Sequence, residues 1–282
     1  MIVSKASLHI AKRALNNTSM NSLVEFLKND FWPGLSNVDR WVALSFRTLR
    51  SLNRRAKLGF LWIMLSAGFF VAAVSLVYSL VFSTKLDDLL PYIAVGYITW
   101  TLIMGLLVSM PTLFSNYASY ITQKNLPLTL YVAANTFDKI SVFIAQSVVI
   151  FIACLIYNTG VSSALFILPL ALMIIFVTAV GVSFLVSLIA VRYRDLGQIL
   201  NSSILLIFLT TPIIWKPEFA GKRALIVELN PFYHFINIVR APILDQRIPW
   251  NSFLVAASIA IFSLLLGLFA MSRYRHRVIY WI

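Results

Sequence analysis

Long charge-free runs constrain this chain more than anything else in it. Leu58 to Thr84 has no charged residue, and neither has Leu89 to Gln123. At ~1.5 Å of rise per residue, such runs cover the ~30 Å of hydrocarbon in a bilayer. In hydrocarbon every backbone polar group must be paired within the protein, which a helix does along its own length. Six spans follow: Leu58–Thr84, roughly Leu90 to Phe114, Pro127 to Tyr157, Ala164 to Val191, Leu196 to Trp215, and Ile248 to Ser272. Asn158 to Ser163 makes a tight turn between the third and fourth. The expected fold class is an all-α integral membrane protein. Composition agrees: 60% of residues are hydrophobic and 12% charged, against about one quarter charged in soluble domains.

The net charge of +13 does not point to nucleic acid. Its basic residues flank apolar runs instead of forming one basic domain, which is the membrane pattern. Six spans put both termini on one side. Ten Lys and Arg precede the first span, and Lys124, Lys139, Arg192, Arg194, Arg273, Arg275 and Arg277 fall on the same side. The other side has Lys85, Lys216, Lys222, Arg223, Arg240 and Arg247. The excess predicts cytoplasmic termini. Cys154 is alone, so no intrachain disulfide and no cysteine metal site is expected.

Residues 1–35 read as a cytoplasmic tail, mobile or surface-lying, with no signal-peptide core. Ser36 to Lys57 reads as an amphipathic interface helix. Ser36 and Asp39 suit its start. Val42, Phe46, Leu49, Leu52 and Ala56 share one face with Trp41 at the edge, and Arg40, Arg47, Arg50, Arg54 and Lys57 share the other. Residues 58–272 make the membrane domain and 273–282 a cytoplasmic tail. Ser115 to Asn125 is polar and aromatic, a short cytoplasmic helix or elbow. Asp138 and Lys139 lie inside the third span. Neighbours on a helix do not face each other, so each is expected to need a partner elsewhere; a place for both near the cytoplasmic headgroups, with no functional role, is the simpler reading.

Lys216 to Pro249 is too polar to span and too apolar for a solvated loop. Asn230 suits an N-cap and Pro231 a first helical position, with the helix expected to stop near Arg240, before Pro242. Phe232, Phe235, Ile236 and Val239 form its apolar stripe, while Tyr233, Asn237 and Arg240 lie on another face. A first short helix ends near Glu228. The segment reads as a re-entrant helical hairpin at the extracytoplasmic surface.

Chemistry is sparse. There is no HExxH, no GxSxG, no phosphate-binding Gly-rich loop, and no pair of acidic residues within a span. Asp138 is the only carboxylate of the kind that ion-coupled carriers use. The chain has the shape of a membrane domain whose energy source lies elsewhere.

Four stretches carry a family resemblance. Arg47 to Phe70, with Leu58, Gly59, Leu61 and Trp62, resembles the start of the first span in type-2 ABC exporter permeases. The elbow at Ser115 to Pro127 is similar to their coupling helix. Val191 to Leu200, with Arg194 and Asp195, resembles their second cytoplasmic loop. Leu229 to Leu244 resembles their Asn-Pro segment ahead of the last span. The N-terminal extension is longer than the family pattern. The resemblance covers about residues 36–275 and is closest to the polysaccharide branch, which exports O-antigens, capsules and teichoic acids.

The resemblance implies a homodimer in the bacterial inner membrane. Two separate ATPase subunits would bind Mg-ATP, with no cofactor in this chain. The substrate would be a glycan linked to undecaprenyl diphosphate or another lipid. The coupling residues would be Arg47, Arg50, Asn116, Tyr117, Tyr120, Gln123, Lys124, Arg194 and Asp195. Tyr92, Tyr97, Trp100 and Trp215 are path candidates, because aromatic faces stack on sugars; Tyr92 and Trp215 also suit an interfacial aromatic belt. The hairpin would be an outer gate through Lys222, Arg223, Glu228, Asn230, Pro231, Tyr233, His234 and Arg240. Its rival is a structural plug with Arg240 paired to Glu228. A drug or lipid efflux permease, a stand-alone carrier and an intramembrane enzyme are the other readings.

Overall fold

A computed structural model describes residues 22–53, 61–123, 126–157, 159–160, 162–217 and 227–282, with side chains at 47–53 and 82 left undescribed. Among the described residues the chain is helical and has no strand. The helices are α1 (Trp32–Ser36), α2 (Val38–Asn53), α3 (Leu61–Phe82), α4 (Leu86–Ser109), α5 (Leu113–Asn116), α6 (Ala118–Gln123) and α7 (Leu128–Ile156). After a 3₁₀ stretch at Ser163–Ile167 come α8 (Leu168–Arg192), α9 (Leu196–Thr210), α10 (Pro231–Leu244) and α11 (Trp250–Trp281).

Five of these are long and apolar enough to cross a membrane: α3, α4, α7, α8 with its 3₁₀ lead, and α11. The expected fifth span differs. α9 has 15 residues, about 22 Å at ~1.5 Å each, and the chain leaves the helix at Thr211. The cause is local. Pro212 disfavours the α conformation in the residue before it, and Thr211 is extended, at φ −96° and ψ 133°.

α4 is the most enclosed span, packed against α3, α7 and α10. α8 and α11 form the other tight pair. Phe69 on α3, Phe151 on α7 and Phe262 on α11 point outward, as a lipid-facing surface requires.

Three sequence expectations change. The tail boundary at residue 35 cuts through packed structure. Residues 22–36 are helical, and Phe26 and Phe31 are buried against Phe184 of α8, with ring centroids 6.1 and 6.4 Å away. Ser36 ends α1 instead of starting α2; the break is at Asn37, whose carbonyl accepts from the amides of Arg40 and Trp41. α2 then lies on α7, with Ser45 buried and the Trp41 ring 5.0 Å from Phe137. The Trp41 indole N–H donates to Leu35 O at 3.0 Å.

The third concerns Asp138 and Lys139, which pair with each other, Nζ to Oδ2 at 2.8 Å. The long lysine stem curls back around the helix beside Gly105 of α4, so the argument from Cβ directions does not hold for it. Asp138 is 3% exposed, and its Oδ1 has no hydrogen-bond partner among the described residues.

Candidate functional site

The break after α9 is where the backbone most needs help. Leaving the helix at Thr211 frees carbonyls within an apolar surround, and each free buried carbonyl is costly. A single side chain meets two of them. Arg240 of α10 donates through Nη1 to Pro212 O at 2.9 Å and through Nη2 to Ile213 O at 3.1 Å. Nη1 also donates to the Tyr92 hydroxyl at 2.8 Å. That hydroxyl lies 3.1 Å from Trp215 O and 3.4 Å from Pro212 O, so it caps the same stretch from α4.

The guanidinium carbon stands 3.9 Å from the centroid of the Tyr92 ring. Tyr92 and Gly96 are one turn apart and share a face of α4. A Cβ on Gly96 would overlap Nη2 of Arg240 and come within 2.8 Å of Ile213 O. Glycine is therefore what admits the arginine. Arg240 is 5% exposed, forms no ion pair among the described residues, and leaves Nε without a partner.

The start of α10 is tied to the same break. Asn230 Oδ1 accepts from the Phe232 amide at 2.9 Å, an N-cap followed by Pro231 at the first helical position. Its Nδ2 donates to Thr211 Oγ1 at 3.0 Å and to Thr210 O at 3.3 Å. His234 is buried, with Nε2 2.7 Å from Glu228 O and Nδ1 3.0 Å from Ser252 Oγ of α11. A carbonyl only accepts, so Nε2 carries a proton. Asn237 adds a bond to the same Ser252 oxygen at 2.9 Å.

The hairpin is thus packed, not laid on a surface. α10 buries residues around most of its circumference and continues through Pro242 to Leu244. The expected stop at Arg240 fails because burial of Ala241 and Pro242 outweighs the bond that proline forgoes. The Arg240–Glu228 pair of the rival plug reading is replaced by carbonyl and ring contacts. Glu228 is exposed and contributes its backbone; Tyr233 is half-buried beside His234, 5.3 Å between rings. Lys222 and Arg223 lie outside the described residues.

Of the aromatic path candidates, Tyr92 is committed to the break, and the Trp215 indole N–H lies 3.4 Å from Leu209 O. Tyr97 stacks on Phe70 at 4.0 Å. Trp100 is 2% exposed, between Phe208 at 5.7 Å and Phe232 at 6.2 Å. Within a single chain Trp100 presents almost no surface.

At the other end of the bundle lies the elbow. Met110 O accepts from Ser187 Oγ of α8 at 2.9 Å. Pro111 lies against Gly197 at the start of α9, 3.4 Å from where a Cβ would stand. Tyr117 and Tyr120 are partly buried, with Tyr117 5.1 Å from Tyr131 of α7. Asn116 and Gln123 are exposed, as are Arg194 and Asp195 in the turn before α9. Lys124 and the side chains of Arg47 and Arg50 lie outside what is described.

Beside the elbow is a residue that sequence reasoning missed. Asp30 is 8% exposed and caps α7. Its Oδ2 accepts from Leu128 N at 2.9 Å, and its Oδ1 accepts from Thr129 N at 2.9 Å and Thr129 Oγ1 at 2.7 Å. A carboxylate at a helix N-terminus satisfies free amides and suits the dipole. The only sequence signal was an acid beside buried phenylalanines. Gly34 allows this approach, since a Cβ there would stand 2.6 Å from Thr129 Cβ.

The two groups lie at opposite ends of α9, the elbow at Gly197 and the arginine break at Thr211. Among the described residues no cluster of metal-binding side chains occurs. The model of a family described as ABC-2 type transporter matches residues 40–244, from α2 to the end of α10. The chain is also similar to the O-antigen export system permease protein RfbA of Myxococcus xanthus. They are 20% identical over 211 residues, covering 74% of this chain and 81% of that protein.

Proposed function

The chain belongs to the ABC-2 type transporter family, and from that premise we propose that it is the membrane subunit of an exporter for lipid-linked polysaccharide. O-antigen is the substrate this reading names, carried on undecaprenyl diphosphate or a similar lipid. Two copies would sit in the bacterial inner membrane with cytoplasmic termini, driven by two separate ATPase subunits.

The observation that carries the reading is the outward face of α9. This helix buries no residue within the single chain, and Gln198, Asn201 and Ser202 are exposed on it. Amides and hydroxyls are unfavourable against lipid and are satisfied by water or by another helix. A second copy with a hydrated path between the two meets that need. The substrate class rests on the Myxococcus relative's role as an O-antigen export permease.

The elbow supports the coupling role. Asn116, Gln123, Arg194 and Asp195 offer hydrogen bonds and both charges on one end of the bundle, where an ATPase would dock. Motion there reaches α9 through the Pro111–Gly197 contact. It would pass to the outer hairpin through Arg240 and Asn230, both fixed to the far end of α9. Lys222 and Arg223 remain the gate residues proposed to meet an arriving anionic glycan or diphosphate.

Deletion of the gene, with surface glycans and inner-membrane glycolipid measured together, tests this. O-antigen should vanish from the surface while its lipid-linked form accumulates. Loss of capsule or teichoic acid instead would move the substrate within the branch. Unaltered glycans with altered drug or lipid resistance would refute the polysaccharide reading. Transport by the isolated chain without an ATPase would refute the subunit reading.

A further inference from the structure

α8 and α11 approach most closely at two glycines. A Cβ on Gly181 would stand 2.5 Å from the Leu264 amide nitrogen, and one on Gly267 2.5 Å from Gly181 O. Both helices run on from this crossing toward the elbow end. Between them opens a crevice of about 450 Å³. Leu188, Ile189 and Ala270 form its apolar lining, with Leu188 buried and Ile189 exposed, and Arg192, Arg277 and Trp281 line it toward the helix ends.

The chemistry changes sharply along this crevice. From Leu188 to Arg192 the helix rises only about 6 Å. The apolar part is continuous with the charge-free run of α8, and the arginines stand where the apolar runs of both helices end. Arg192 Cζ lies 5.8 Å from the Trp281 ring centroid and Arg277 Cζ 5.6 Å from that of Tyr274. Both arginines are exposed, and neither forms an ion pair among the described residues. Arg275, on the same helix, is different: it meets Glu25 at 2.6 Å and lies over Phe26. The crevice therefore holds two cations with no acidic partner among the described residues.

We propose that this crevice binds an anionic glycerophospholipid of the surrounding leaflet. Its phosphate would lie between Arg192 and Arg277, and an acyl chain would run along Leu188, Ile189 and Ala270. Basic pockets between helices at a membrane surface suit such headgroups. A zwitterionic headgroup brings its own cation against the arginines. A free anion leaves the apolar lining uncovered. Residues 1–21 carry Lys5, Lys12 and Arg13 and no acid, so they do not complement the arginines. The site is independent of whatever the protein exports.

Trp281 provides the readout. The full-length chain, delipidated in detergent, is titrated with phosphatidylglycerol or phosphatidylcholine brominated on the acyl chain. Quenching that disappears in Trp281→Phe reports this crevice rather than the other tryptophans. Phosphatidylglycerol should bind about tenfold more tightly than phosphatidylcholine. The preference should vanish in Arg192→Gln/Arg277→Gln and persist in Arg273→Gln, an exposed arginine outside the crevice. Should the double variant aggregate, salt decides on the wild-type chain: the preference must shrink as ionic strength rises. Equal binding of the two lipids, or a preference that survives the double variant or high salt, would overturn the proposal. So would displacement of the lipid by equimolar inorganic phosphate.

Discussion

Replacing Arg240 with methionine keeps an apolar stem and removes the guanidinium. The variant loses the bonds to Pro212 O, Ile213 O and the Tyr92 hydroxyl, and the contact with the Tyr92 ring. Hydrogen bonds from a charged donor contribute about 1.5–3 kcal/mol each. A desolvated cation over an aromatic ring adds about 2 kcal/mol. Against this stands the burial of a charge with no carboxylate partner, a cost of several kcal/mol that the substitution relieves. The net expected loss is about 3 kcal/mol, because Ile213 O keeps no donor and Tyr92 must serve Pro212 O and Trp215 O alone. At roughly 2–4 °C per kcal/mol, the apparent Tm of the detergent-purified protein should fall by about 6–12 °C. Tyr92→Phe keeps the ring and removes the hydroxyl. Its cycle with Arg240→Met should show about 1–2 kcal/mol of coupling. An unchanged Tm, or strictly additive effects, would mean that something else holds the break after α9.

Asp30→Ala should destabilise by about 2 kcal/mol through loss of the α7 cap, and thermal denaturation should show Asp30→Asn to be milder because one accepting oxygen remains. Lys139→Met should cost about 3–5 kcal/mol, because it leaves Asp138 buried without its cation; adding Asp138→Asn should restore most of the stability, and no restoration would refute the pairing. Asn116→Ala/Gln123→Ala should leave stability within about 0.5 kcal/mol of wild type by thermal denaturation, since both side chains are exposed. ATP-driven export should nevertheless fall, and normal export in that variant would remove the elbow from coupling.

Some of this fold could be read from sequence because its causes are local. Helix formation in long apolar runs follows from pairing the backbone in hydrocarbon, so α3, α4, α7, α8 and α11 stand close to the expected spans. The Asn230–Pro231 cap was legible for the same reason: donor and acceptor are two residues apart. The misses are long-range. Asp30 and Thr129 meet across 99 positions, and no spacing rule connects them. Arg240 reads from sequence as a gate residue or a partner of Glu228, because nothing in its own segment reveals the carbonyls freed by Pro212, or the space left by Gly96. Asp138 and Lys139 were adjacent and still misread, since side-chain reach, not backbone direction, decided the contact.

The shortness of α9 links these observations. A helix of full spanning length would satisfy its own carbonyls and leave Arg240 nothing to bind. Ending it at Thr211 frees Pro212 O and Ile213 O, which only a multi-donor cation reaching over Gly96 can meet together. That cation belongs to α10, and α10 is further fixed to α9 by Asn230 and to α11 by His234 and Asn237. The hairpin therefore cannot shift without carrying the end of α9, or else breaking charged bonds in a buried site. The other end of α9 rests on Pro111 of the elbow and has no buried side chain to hold it against the bundle. A helix held at its ends, and along its length only by the partly buried Ile204, Ile207 and Phe208, is suited to move as a rod. In the exporter we propose, such a rod would carry a push from an ATPase at the elbow to the hairpin at its far end.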